Sequence, residues 1–261
     1  MELFCRKYGD DQSGSSLVFL HGLFGSSANW RGIARRFSDA YRVLVPDLRN
    51  HGQSPHAEDV SFASQAADVL ALLDASGVEQ AVLVGHSMGG KVAMRLALDA
   101  PERVSALACV DIAPVSYPGD RFGPIYEGMA AVDPATLTSR QQADERLAAF
   151  LPARQLRSYL LQNLVKEQEG WRWRLNLAAL EQGMEEVSGF DAPADARFLG
   201  EALFVYGGNS PYVKPEHATI IRHWFPYARL RQIAGAGHWV YADEPAAFTN
   251  ALESFLDLDE R

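Results

Sequence analysis

Cysteine is scarce in this 261-residue chain, which holds only Cys5 and Cys109. Cys109 sits in the apolar run 107–110 and reads as a small buried hydrophobe, and Cys5 lies far from it in sequence, so no disulfide is expected. Neither has the spacing of a metal ligand and the seven histidines form no paired motif, so no metal or other cofactor is expected. Long hydrophobic runs are missing as well, since no stretch approaches the roughly eighteen apolar residues of a membrane span. The opening MELFCRKYGDD has neither the apolar core nor the cleavage site of a signal peptide, and the cytoplasm is the expected compartment. Basic residues are outnumbered, 24 Lys and Arg against 33 Asp and Glu, for a net charge of −9. Arg35, Arg36 and the stretch 171–174 are too short to form the basic stripe of a nucleic-acid binder. The acidic excess mainly favours solubility. Repeats and low-complexity linkers are absent. The length suits one α/β domain carrying an insertion, with a core that needs no staples.

The densest signal that is present is AVLVGHSMGGK at 81–91. Residues 81–84 read as a buried strand, and Met88, Val92, Leu96 and Ala97 follow at helical spacing. Between them Gly85, His86, Ser87, Met88 and Gly89 form a G-x-S-x-G sequence in the strand-turn-helix context that its mechanism requires. Glycine is needed at 85 and 89 because a strained Ser87 leaves no room there for a side chain. The turn pushes the Ser87 hydroxyl out of the sheet, and the free N–H of Met88 in the first helical turn points at charge developing beside it. The bland alternative is a plain turn in which Ser87 caps the helix. The flanking strand and helix favour the nucleophile.

Residues 3–8 read as an edge strand before a turn-rich segment at 9–16, and 17–20 as a strand covered on both faces. That strand runs into HGLFGS at 21–26, whose glycines let backbone N–H groups approach a ligand. Leu23 is the candidate second oxyanion donor and Phe24 the weaker choice; the alternative is an ordinary loop with His21 hydrogen-bonded in the core. A strand over Arg42–Pro46 ends in DLRNHGQS, where Asp47 and Arg49 are expected to hold the loop through backbone hydrogen bonds rather than to catalyse. Phe62, Ala66, Val69, Leu70 and Leu73 mark a helix stopped by Gly77. After the Ser87 helix, Val104–Val110 reads as a strand ending at Asp111. Parallel strands joined by a helix leave their ends on one edge of the sheet, so Ser87 and Asp111 are expected on the same rim.

From 117 to 195 the strand-helix rhythm stops. Helical patterns at 143–150 and 156–165 carry many aromatic and aliphatic side chains, and a segment this long between core strands reads as an inserted cap. The expected division is a core of residues 1–116 and 196–261 with a cap at 117–195. The core resumes with a strand at 202–206 and GGNSPYV, then a helix at 216–224, a strand over Ala228–Ile233 and GAGHW at 235–239. Asp243, Glu244 and Pro245 open a last helix with an N-cap candidate and a proline in its first turn, Phe248, Leu252 and Phe255 facing inward.

A serine hydroxyl needs a base within hydrogen-bond reach and a third group to orient that base. His238, on its glycine-lined loop, is the candidate base. His86 is expected to point the other way along the turn, and His217 and His223 lie on a helix expected at the surface. The six ordered motifs HGLFGS, DLRNHGQS, GHSMGGK, DIAPV, GGNSPYV and AGAGHWV resemble the α/β-hydrolase superfamily, and within it small bacterial carboxylesterases with a helical lid. The resemblance runs over nearly the whole chain and is weaker only in the lid. It implies an α/β fold with a mostly parallel central sheet flanked by helices and an inserted, mainly helical cap. It also implies a serine carboxylesterase acting on small-molecule acyl esters of short to medium chain. In the superfamily's common pattern the acid of the triad follows the strand that here ends at Tyr206, where this chain offers Ser210 and no carboxylate before Glu216. The similar esterases share a displaced acid, which implies a triad of Ser87, His238 and Asp111 with Ser210 at most a helper near the imidazole. Ser87 would attack the ester carbonyl, the N–H groups of Leu23 and Met88 would bind the oxyanion, and water would release the acid. Thioester, carbon-carbon or lyase chemistry on the same serine is the rival reading, and a non-catalytic binding protein a more distant one. A serine at the nucleophile position argues against dehalogenases and epoxide hydrolases of this fold, which place an aspartate there.

Overall fold

Leu17 and Phe19 pack on one side of the central sheet and Val18 and Leu20 on the other, and both sides are buried. A strand covered on both faces has no polar alternation to show, which is why this one reads as a continuous apolar run. The structure, a computed structural model, describes residues 1–10, 15–168 and 170–259. Residues 11–14 of the turn expected at 9–16 lie outside the described residues. In chain order the first half contains β1 (Cys5–Tyr8), β2 (Ser16–Leu20), α1 (Arg31–Phe37), β3 (Arg42–Pro46), α2 (Phe62–Ala75), β4 (Ala81–His86), α3 (Met88–Asp99) and β5 (Val104–Val110). Next come α4 (Gly123–Ala131), α5 (Arg140–Ala148), α6 (Arg154–Leu160), β6 (Leu164–Glu167), β7 (Gly170–Trp173), α7 (Leu177–Gln182) and α8 (Met184–Ser188). The chain closes with β8 (Glu201–Gly207), α9 (His217–Trp224), β9 (Ala228–Ile233), α10 (Val240–Asp243) and α11 (Pro245–Asp259).

Among the described residues, seven strands make one sheet in the order β1-β3-β2-β4-β5-β8-β9. Only the edge strand β1 is antiparallel to its neighbour. Residues of α2, α3 and α9 such as Val69, Val92 and Ile221 cover one face, and Phe37 of α1 with Phe248, Leu252 and Phe255 of α11 cover the other. The chain leaves β2 for β3 on one side and returns to β4 on the other. A crevice opens outside the carboxyl ends of strands where the order reverses in this way. The loops after β2 and β4 flank that crevice, which brings HGLFGS against the Ser87 turn.

The turn itself is very tight. A Cβ on Gly85 would stand 2.2 Å from the carbonyl oxygen of Gly89, and one on Gly89 would stand 2.5 Å from those of Leu20 and His21. Backbone cannot yield there without moving β2 or α3. Gly85→Ala is expected to destabilise the fold by roughly 3 kcal/mol or more, read as a lowered denaturant midpoint.

Between β5 and β8 the structure departs from the helical reading of 156–165. Helix α6 ends at Leu160, a 3-10 turn covers Leu161–Asn163, and Leu164 opens β6, paired antiparallel with β7 in the register Leu164 to Trp173. Cross-strand pairing of Leu164 and Val165 with the Trp-rich β7 outweighs a helical spacing that is less than three turns long. The last helix also starts differently. Asp243 ends α10, and its carboxylate accepts the Gly237 N–H at 2.9 Å, so it braces the loop before His238 instead of capping α11. Among the described residues no helix is long and apolar enough to cross a membrane. Cys5 and Cys109 are free thiols.

Candidate active site

Ser87 sits between β4 and α3 with φ 52° and ψ −118°, a conformation that costs a non-glycine residue of order 1–3 kcal/mol. Its N–H donates to Val110 at 3.0 Å, and its carbonyl accepts from Gly90 at 2.9 Å and Lys91 at 3.2 Å, so both sides of the strained residue are tied down. The N–H groups of Met88 and Leu23 have no acceptor among the described residues. The Phe24 N–H, the weaker candidate in the HGLFGS loop, is already committed to Nε2 of His51 at 3.1 Å. Two side chains from the segment after β5 hold that loop from the other side: Tyr159 donates its hydroxyl to the Leu23 carbonyl at 2.9 Å, and Asn163 donates to that of Phe24 at 2.7 Å.

Asp111 lies at the end of β5, fully buried, with φ 53°. Its N–H donates to Val205 at 2.8 Å and its Oδ1 accepts the Gly207 N–H at 3.0 Å, so β8 fixes its carboxylate. Oδ2 meets Nδ1 of His238 at 2.7 Å and also accepts the Ser210 hydroxyl. Ser210 thus bonds the carboxylate and not the imidazole. The ring of Tyr212 stacks on that of His238, 3.9 Å between centroids at 13°, and the Arg121 guanidinium lies 4.4 Å over the far side of Tyr212. Ser87 and His238 line one cavity of about 260 Å³ together with Leu23, Phe122, Tyr159 and Trp239. No hydrogen bond joins the two across it, a separation common in catalytic pairs before substrate is bound.

His86 does not point away from this cavity. Its ring lies 4.6 Å from that of His238, and its Nε2 donates to the His238 carbonyl at 2.9 Å. The strand carries it beneath the nucleophile, where burial lowers its pKa well below the usual imidazole range. It is a neutral strut for the histidine loop.

His21 and His51 play a similar part under the HGLFGS loop. Nε2 of His21 accepts the Leu48 N–H at 2.9 Å, which leaves its protonated Nδ1 facing the Gly22 carbonyl at 2.9 Å. Nε2 of His51 accepts from Phe24, and its Nδ1 donates to the Arg49 carbonyl at 2.8 Å. Asp47 accepts the N–H groups of Ser27 at 2.6 Å and Gln53 at 2.8 Å, while Arg49 pairs with Asp68 at 2.7 Å, so both serve the loop. Tyr212, Arg121 and His51 are contacts that sequence reasoning missed. The one available signal was the tyrosine inside GGNSPYV, two residues after Ser210. Among the described residues no group of three or more His, Cys, Asp or Glu side chains is arranged to hold a metal ion.

A serine held in a strained strand-helix turn, two free N–H groups beside it and a histidine-aspartate pair on later loops are the parts of a nucleophilic hydrolase site. The sequence model of the family described as alpha/beta hydrolase fold matches residues 16–245, and the chain belongs to that family. It is 42% identical over 248 residues to the mouse sn-1-specific diacylglycerol lipase ABHD11, covering 92% of this chain and 80% of that protein. It is 35% identical to Esterase YbfF of Escherichia coli (strain K12), covering 95% of each. Among solved structures, one titled "Marine microorganism esterase" superposes with a TM-score of 0.94 at 35% identity, covering 97% of this chain and 99% of that one.

Proposed function

We propose that this α/β hydrolase is a serine carboxylesterase that takes short- to medium-chain acyl esters through a Ser87-His238-Asp111 triad and an acyl-enzyme. The observation that carries the reading is the 2.7 Å contact of Nδ1 of His238 with a carboxylate that β8 holds rigid, on a cavity shared with Ser87. With Nδ1 protonated toward Asp111, Nε2 is left as the base that takes the Ser87 proton during attack on the ester carbonyl. The N–H groups of Leu23 and Met88 then receive the oxyanion, and being fixed in advance they cost no reorganisation as charge develops. His238 returns the proton to the departing alcohol, and water repeats the sequence to release the acid. The relatives named esterase and lipase support ester hydrolysis in general. Residues 117–195 act in this reading as the cap. Phe122, Ile125, Leu156 and Tyr159 give the cavity an apolar wall, which suits a moderately apolar substrate.

Two measurements on the purified protein test the proposal. A fluorophosphonate is expected to label Ser87 and to leave Ser87→Ala unlabelled. A series of p-nitrophenyl esters set against acyl thioesters is expected to favour oxygen esters of short to medium chain. An unlabelled serine would remove the nucleophile, and a preference for thioesters would change the reaction class.

A further inference from the structure

The imidazole of His238 is hydrogen-bonded to its acid at one point, where Nδ1 meets Oδ2 of Asp111 at 2.7 Å. The last side-chain torsion of a histidine joins an sp³ to an sp² carbon and has a broad well. One contact at Nδ1 therefore fixes the near edge of the ring and leaves its plane free to tilt. A tilt swings the Nε2 lone pair off the line to the Ser87 hydroxyl, and misplacing a reacting group by about 1 Å can cost on the order of 10²-fold in rate. The face of the ring needs a support as much as its edge does.

Three aromatic rings among the described residues neighbour the imidazole. His86 and Trp239 lie at 4.6 and 6.0 Å with their planes turned by 47° and 58°, so neither is flat against it. Tyr212 is, at 3.9 Å and 13°. The tyrosine is itself held at three points. Its carbonyl accepts the Tyr117 hydroxyl at 2.8 Å, its N–H donates to the Ser210 hydroxyl at 3.3 Å, and the Arg121 guanidinium covers its far face. The Tyr117 oxygen in turn accepts the Ala113 N–H at 3.0 Å, which ties the support to the loop after β5. Ser210 also donates to Asp111, so the supports for the edge and the face of the imidazole share one serine. No hydrogen bond joins the Tyr212 hydroxyl to another described residue, which leaves the flat face as what this side chain supplies.

We propose that Tyr212 is a positioning residue for the hydrolysis, its ring holding the plane of the His238 imidazole so that Nε2 faces the Ser87 hydroxyl. The inference rests on the triad reading above. One histidine serves both the formation and the breakdown of the acyl-enzyme, so loss of the guide slows whichever step limits kcat. Tyr212 also lines the catalytic cavity, and a role confined to holding substrate would show in KM instead.

The test sets the flat face of the side chain against its apolar bulk, with a p-nitrophenyl ester as substrate and thermal melts to identify folded variants. Tyr212→Phe keeps the face and is expected to retain roughly half or more of the wild-type kcat. Tyr212→Leu and Tyr212→Met are apolar without a flat face, and each is expected to lower kcat by about tenfold or more while KM moves by less than about threefold. A folded Leu or Met variant with the wild-type kcat, a Phe variant as slow as those two, or a change confined to KM overturns the guide and leaves the triad in place. Failure of both aliphatic variants to fold overturns it as well, since the ring would then be a support of the fold. Wild-type turnover by His238→Ala, with Ser87 unlabelled by the fluorophosphonate, sinks the triad reading and this inference with it.

Discussion

Asp111→Asn is expected to lower kcat by up to about 10⁴-fold, the scale seen when an asparagine replaces the acid of a serine triad, while Ser210→Ala lowers it by no more than about tenfold. The carboxylate accepts from three donors: the Gly207 N–H, the Ser210 hydroxyl and Nδ1 of His238. An asparagine keeps one oxygen for Gly207 and turns an amide N–H₂ toward the imidazole. Nδ1 can face that amide only as an acceptor, which puts the ring proton on Nε2 and leaves nothing to receive the proton of Ser87. Ser210→Ala removes one donor, but Gly207 and β8 still hold the carboxylate, so the loss is that of a single hydrogen bond to a charged group. Turnover of a p-nitrophenyl ester by the two variants, with thermal melts to confirm folding, decides between them. The reverse order would transfer the orienting role to Ser210 and leave Asp111 a loop support.

The parts of this arrangement differ in how far they could be read from sequence, and the difference follows the range of the forces involved. The turn around Ser87 is local: Gly85 and Gly89 are dictated by contacts of 2.2 and 2.5 Å within a few residues and with the end of β2. Val104–Val110 and Arg42–Pro46 were legible for a related reason, because strands buried on both faces read as apolar runs, broken here only by Arg42 and Ser105 near their starts. The meeting of Asp111 with His238 joins positions 127 apart, and it depends on β5, β8 and β9 lying side by side. Only the parallel-strand rule and the family resemblance pointed to it. Side-chain direction was less accessible. His86 was expected to face away, yet the pleat of β4 sets its ring against His238, and the stacking of Tyr212 on the same ring depends on a loop with no repeating pattern. The start of β6 escaped because Leu164 and Val165 also fit the end of the helical spacing at 156–165; partner strand and aromatic contacts, not local propensity, chose between them.

Acid is expected to unfold this protein through its buried histidines, by an amount comparable with its whole stability. Burial, then the neighbouring His21, pushes His51 down to about 3, and burial lowers His21 and His86 as well. All three folded-state values lie below the roughly 6.5 of an unfolded chain. Between the two values the unfolded chain binds protons that the folded one cannot. The contribution is therefore complete above pH 6.5 and is lost as pH falls toward 3. For His51 alone the full span is worth roughly 5 kcal/mol, against a typical total of about 5–15 kcal/mol. The structural reason is that each ring has committed a neutral nitrogen: Nε2 of His51 must accept from Phe24, and Nε2 of His21 from Leu48. Protonation breaks those bonds and releases the loop that presents Leu23. Melting temperature is expected to hold steady above pH 7 and fall steeply below pH 6, on the order of one proton's worth for each histidine. Carboxylates contribute to any acid transition, so His51→Gln separates the causes. Its amide oxygen can accept from Phe24 and its amide N–H can donate to Arg49, but it does not titrate. The variant's stability should fall less steeply between pH 6 and 4, by about 1.4 kcal/mol per pH unit at most. An unchanged slope would show that His51 takes up its proton without cost and that the loop's acid sensitivity lies elsewhere.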